Sequence, residues 1–201
     1  MYRESRSAVC RSSTTSIANY LQGTASRLRI HAVLALLLGA LVLTVAGCGD
    51  DERNETTIVA PLSGDQEVPP RQTAASGTIT VTVDGQDQEL GFVLELRGAF
   101  SSPITQAHIH AGARGVAGPV ILWLCRTPLV TPPATIPTPQ LCPEPPGEVI
   151  GRLTAADLIP SSAQGVNNFA QAVDAILNGR AYGNVHTTLN PTGEIRRQIV
   201  Q

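Results

Sequence analysis

Three histidines, His108, His110 and His186, are the side chains in this 201-residue sequence whose types and spacing point most directly to chemistry. Residues two apart on a strand leave the same face, so His108 and His110 point one way and Ile109 the other. Two imidazoles on one face are a bidentate offer to a metal. A third from a neighbouring strand completes a three-nitrogen site suited to copper or zinc, with metal–nitrogen distances of about 2.0–2.1 Å. The glycine-rich stretch AGARGVAG at 111–118 leaves room beside the pair for a ligand or water. The competing expectation is structural: each ring hydrogen-bonds a backbone carbonyl or a carboxylate such as Glu194. Copper–zinc dismutase chemistry is not expected, because it needs two metals, a bridging histidine and more ligands than three histidines supply.

Other polar residues stand out less. Glu67 and Arg196 are read either as contacts for a partner or as a buried ion pair fixing a loop against the last strand. Trp123 and Phe92 are expected in the core. The sequence contains no GxSxG, HExxH, CxxC, phosphate-binding glycine loop or GxGxxG pattern, so no enzymatic activity and no cofactor beyond copper or zinc is expected. Asp84-Gly85-Gln86-Asp87 begins like a calcium loop but lacks the later ligands, and reads as a hairpin turn.

The elements that must position the histidines are short alternating segments. Strands are predicted over 58–62, 77–83, 90–96, 104–110, 119–124, 148–153, 181–187 and 194–200. In the second, Ile79, Val81 and Val83 share one face and Thr78, Thr80 and Thr82 the other. In the third, Phe92, Leu94 and Leu96 alternate with Val93 and Glu95, and the two pair as a hairpin. Val166, Phe169, Val173, Ile176 and Leu177 recur at helical spacing, ending at Asn178-Gly179, which predicts one short helix near the C-terminal end. The fold class is mainly β: an antiparallel, Greek-key-like sandwich or barrel.

The first quarter reads differently. Arg3, Arg6, Arg11, Arg27 and Arg29 precede an apolar run over 30–46 that ends in Val45-Ala46-Gly47-Cys48. This resembles the lipobox of bacterial lipoproteins, in which the signal peptide (1–47) is cut off and diacylglycerol is joined to the cysteine thiol. The expected mature chain starts at Cys48, continues through a polar tether (48–57), faces the periplasm or cell exterior, and is held to a membrane by its lipid. The alternative is an uncleaved membrane anchor. Counted from Cys48 there are about 9 Arg, no Lys and about 15 acids, so nucleic-acid binding is not expected. Within the domain only Cys125 and Cys142 remain, and in an exported chain an even pair implies a disulfide. It would close a proline-rich loop within 125–146 that suits neither ladder nor helix.

Three stretches together resemble the CHRD domain, named after chordin and also found in microbial secreted proteins: LSGDQEVPP (62–70) with TAASGTITV, AHIHAGARGVAGPV (107–120), and VHTTLNPTGEIRRQI (185–199). Their order and spacing cover nearly all of 58–201. The resemblance implies an immunoglobulin-like or superoxide-dismutase-like β-barrel and carries no enzymatic activity with it. Arg197 departs from the family pattern, where a glycine is usual; an edge strand would tolerate it. The proline loop departs as an insertion. The sequence therefore reads as a lipid-anchored envelope module, non-enzymatic, whose partner is an envelope protein or a metal ion. Metabolic labelling with palmitate should mark the wild-type chain and not a Cys48→Ser variant; labelling that survives in the variant would remove Cys48 as the lipid site.

Overall fold

A computed structural model describes residues 55–84 and 89–201; Cys48, the signal segment, most of the tether and residues 85–87 of the calcium-loop-like turn lie outside them. The described chain forms eight strands: β1 (Glu55–Ser63), β2 (Ser76–Asp84), β3 (Leu90–Arg97), β4 (Ile104–Ala111), β5 (Val120–Arg126), β6 (Gly147–Leu153), β7 (Ala181–Thr187) and β8 (Ile195–Ile199). One helix, α1 (Phe169–Leu177), precedes β7. All named pairings are antiparallel, in the order β5-β4-β7-β8-β1-β2-β3-β6, and the end strands β5 and β6 approach one another, so the sheet is a nearly closed barrel.

The alternating pattern accounts for the core. Ile79, Val81 and Val83 of β2 and Leu90, Phe92, Leu94 and Leu96 of β3 are buried and point inward, with Thr78, Thr80, Thr82 and Val93 on the other face. The β2–β3 hairpin pairs Ile79 with Leu94 and Val81 with Phe92. Burial of such side chains contributes roughly 1.5–3 kcal/mol each, which makes this hairpin a main source of stability. From the opposite wall Ala107, Ile109, Val185, Ile195 and Ile199 close on the same core.

Three boundaries differ from the sequence reading. Strand β1 starts at Glu55, so residues 55–57 of the expected tether pair with Asp84, Val83 and Thr82. Val166 is buried but precedes the helix; it exchanges backbone hydrogen bonds with Ser161, and Asn168 caps α1 by accepting from the Gln171 amide. Strand β8 is not an edge: it lies between β7 and β1, although Ser63–Arg196 is its one pairing to β1. Arg197 is half-buried and stands opposite Gly183 in the β7–β8 ladder.

The proline loop is more than an excursion. Cys125 and Cys142 are disulfide-bonded, with Cα atoms 4.9 Å apart. The Arg126 amide donates to the Gln140 carbonyl (2.9 Å) and the Cys142 amide to the Arg126 carbonyl (2.9 Å), so the returning end of the loop pairs with the free edge of β5. The Gln140 side chain reaches on to the Ile150 carbonyl of β6 at 2.9 Å. The insertion thus bridges the two strands between which the barrel is open. Closing a loop of 17 residues removes chain entropy worth about 3 kcal/mol. A Cys125→Ala/Cys142→Ala variant should lose about that much in urea unfolding with an unchanged far-ultraviolet circular dichroism spectrum; an unchanged midpoint would show that the loop's hydrogen bonds suffice.

Candidate metal centre

The wall made by β4, β7 and β8 has two buried faces. Inward-facing residues join the aliphatic core; the other face carries His108 and His110 from β4, Tyr182, Asn184 and His186 from β7, and Arg196 and Gln198 from β8, all buried. The pairing of β4 with β5 shifts register between Ala107 and His108 and again between Ile109 and His110. Such irregularities re-aim side chains, and here they fall on the two histidines. In the β4–β7 ladder His108 stands opposite Asn184 and His110 opposite Tyr182, with His186 opposite Gln106, one step along the same face.

The three histidines converge. One ring nitrogen from each lies within 4.8 Å of one from each of the others. Their residues are 2, 7 and 5% exposed for His108, His110 and His186. His110 Nδ1 donates to the Gly118 carbonyl (2.9 Å) and His186 Nδ1 to the Pro191 carbonyl (3.0 Å). A carbonyl only accepts, so both rings carry their proton on Nδ1 and present a lone pair at Nε2. His108 Nδ1 lies 3.2 Å from His186 Nε2. If that contact is a hydrogen bond, His108 donates and its Nε2 is also a bare lone pair. Neither His108 Nε2 nor His110 Nε2 has a hydrogen-bond partner among the described residues.

Burial holds all three rings neutral. It is the main cause of depression in His108, well below the ordinary histidine range, reinforced by the neighbouring His186 and His110. It brings His110 and His186 each to about 4, against the opposing pull of the Gly118 and Pro191 carbonyls. Neutral imidazole is the form that binds metal. The structure therefore provides both parts of the expected choice: converging nitrogens, and the backbone caps that would also serve a structural histidine. Metal-bound histidines usually donate their second N–H to a carbonyl, so the caps at Gly118 and Pro191 are also the outer support such a site needs.

Trp123 is buried, as expected, and its ring meets His108 edge-on, with centroids 4.2 Å apart. Tyr182 stacks on His110 (4.8 Å, 10° between planes), and the Arg196 guanidinium lies 3.4 Å from the Tyr182 ring centroid on its face. The Tyr182 hydroxyl accepts from the Gly118 amide at 2.9 Å, and Arg196 donates to the Val116 carbonyl at 2.8 Å, which pins the glycine-rich loop over the histidines. A side chain at Gly118 would strike the Ala111 carbonyl, so the close approach requires glycine.

Glu67 and Arg196 are both buried but do not form the expected ion pair. Arg196 serves the loop, and Glu67 accepts from the Asn184 amide at 2.6 Å. Gly193, at φ 124°, leaves the space in which that carboxyl and Asn184 meet. Glu194 does not touch the histidines. It is fully buried and accepts from Thr73 Oγ1 (2.7 Å), the Ser101 amide and hydroxyl (2.8 and 2.6 Å), Thr187 Oγ1 (2.7 Å) and Asn190 (3.1 Å). Burial pushes its pKa up, but the combined hydrogen bonds from Ser101, Thr73 and Thr187 outweigh that and bring it to about 2. This carboxylate ties three loops to the end of β7. Sequence reasoning had only an acidic residue at the start of the last predicted strand as a signal, and its partners come mostly from distant segments.

The described residues thus form an eight-stranded antiparallel, nearly closed barrel with one polar, loop-covered wall. The model of the CHRD domain matches residues 58–199, and the chain belongs to the CHRD-domain family. No curated protein and no solved structure gives a match to the chain.

Burial raises the Glu67 carboxyl to about 7, although Asn184, Arg196 and Arg71 pull it down. The unfolded chain gives up this proton near 4.5, so between pH 4.5 and 7 the folded state binds more protons and loses stability as pH rises. A Glu67→Gln variant lacks this titration. Its stability relative to wild type, from urea midpoints, should improve by the order of 1 kcal/mol between pH 5 and pH 8; a difference constant with pH would refute the assignment.

Proposed function

We propose that this CHRD domain is a metal-binding module of the cell envelope that holds one copper or zinc ion on His108, His110 and His186, without catalysing a reaction. The observation that carries this reading is the meeting of three buried, neutral imidazoles whose ligand atoms lie within 4.8 Å of one another, with His110 Nε2 left without a hydrogen-bond partner among the described residues. A buried acceptor left bare costs about 1–3 kcal/mol. A metal ion held through His108 Nδ1, His110 Nε2 and His186 Nε2 would satisfy that lone pair. The 3.2 Å between His108 Nδ1 and His186 Nε2 is also close to the roughly 3.3 Å that separates two nitrogens bound tetrahedrally to one ion. Storage or delivery of the ion suits a closed site of this kind. The lipid on Cys48, which the lipobox-like sequence supports, would place the module at a membrane with the domain facing the periplasm or cell exterior, where metals are exchanged between proteins.

The competing reading is a purely structural polar layer, favoured by the backbone caps on His110 and His186. Plasma mass spectrometry on the untagged full chain, beside a His108→Ala/His110→Ala variant, separates the two. About one copper or zinc per chain, lost in the variant, is the expected result. A metal-free protein that also takes up neither added ion would leave the structural reading.

A further inference from the structure

Building on the three-histidine reading, we infer that the site selects monovalent copper, Cu(I), over zinc and divalent copper. Imidazole itself serves all three ions, so the choice falls to charge and coordination number. Among the described residues no carboxylate joins the three histidines as a ligand: Glu194 is held by Thr73, Ser101, Thr187 and Asn190, and Glu67 by Asn184. The charge that does stand near is positive. Arg196 lies on the far face of the Tyr182 ring that stacks on His110. The desolvation cost of an ion grows with the square of its charge, so a dication in this setting faces about four times the penalty of a monocation. The same guanidinium repels it twice as strongly.

Coordination number points the same way. Zinc and divalent copper need at least a fourth ligand, which at a three-histidine site is normally water in an open position. Here the histidines are at most 7% exposed, and the rings of Trp123 and Tyr182 pack against two of them. Cu(I), with its lower charge, is content with three nitrogens. Binding leaves the site with a single positive charge.

The test uses the full chain in detergent, stripped of metal and titrated without oxygen with Cu(I) presented by a chromogenic Cu(I) chelator, and in parallel with zinc and with divalent copper. One Cu(I) per chain should be drawn from the chelator and kept against a roughly tenfold excess of zinc. The emission of Trp123, the single tryptophan of the chain, should change with the same stoichiometry. Uptake of Cu(I) with that emission unchanged would put the ion elsewhere and overturn the inference. Zinc or divalent copper displacing Cu(I) would overturn it too, while leaving the metal reading intact; failure to bind any of the three would overturn both. His186→Gln should abolish uptake, and its thermal unfolding, recorded alongside, separates a lost ligand from a lost fold. The wild-type competition decides the question even where that variant unfolds.

Discussion

Strand β7 has no solvent-facing side, and that constraint shapes the rest of the molecule. Ala181, Gly183 and Val185 face the aliphatic interior, while Tyr182, Asn184 and His186 face a second, polar interior under the loops. In water such groups would exchange partners freely, but under the loops each donor and acceptor needs a fixed partner or costs about 1–3 kcal/mol. The loops supply many of the partners. Gly118 meets Tyr182 and His110, the 188–193 turn meets His186, and the segment after β1 brings Glu67 to Asn184. The covering loops are therefore held by directional bonds rather than by apolar burial, and they lie where they do because β7 leaves them no alternative. Glu194 performs the same service at one end, gathering Thr73, Ser101 and Asn190 from three separate connections.

The three stretches that carry the family resemblance are also the three that build this second interior. The first contributes Glu67, the second His108, His110 and Gly118, and the third His186, Pro191, Gly193, Glu194 and Arg196. Far apart in the chain, they are adjacent in the fold because β4, β7 and β8 are neighbours and the segment leaving β1 packs over β8. A family signature of this kind describes a packed polar layer more than a set of independent motifs.

The strands were legible because the sequence alternates cleanly wherever one face is aliphatic and the other meets water, as in β2 and β3. The histidine face was legible from a spacing of two, since strand geometry alone puts His108 and His110 on one side. The convergence of His186 was not, because the barrel topology that brings β7 beside β4 leaves no mark in local sequence. Trp123 was assigned to the core on its apolar character; the register shifts that turn it toward His108 depend on pairing between strands. Glu67 and Arg196 were paired by charge, but Asn184 and Tyr182, with no net charge to advertise them, are the groups they meet. Arg197 was excused as an edge residue, and the sheet order shows that β8 is an interior strand instead.

The bridge across the open side of the barrel bears on how these molecules behave in company. A sheet that ends in two free strands offers a row of amides and carbonyls to any passing chain, and the usual outcome is edge-to-edge polymerisation. Along β5 that row is already taken: Gln140 and Cys142 bond at Arg126, and Ile159 donates to the Ile121 carbonyl. The insertion that does this is itself a poor template, because its many prolines have no amide hydrogen to offer a newcomer. The Cys125–Cys142 bond keeps this inert strip seated. In a reducing environment the first symptom of its loss would be self-association of folded copies, with the aliphatic core still intact.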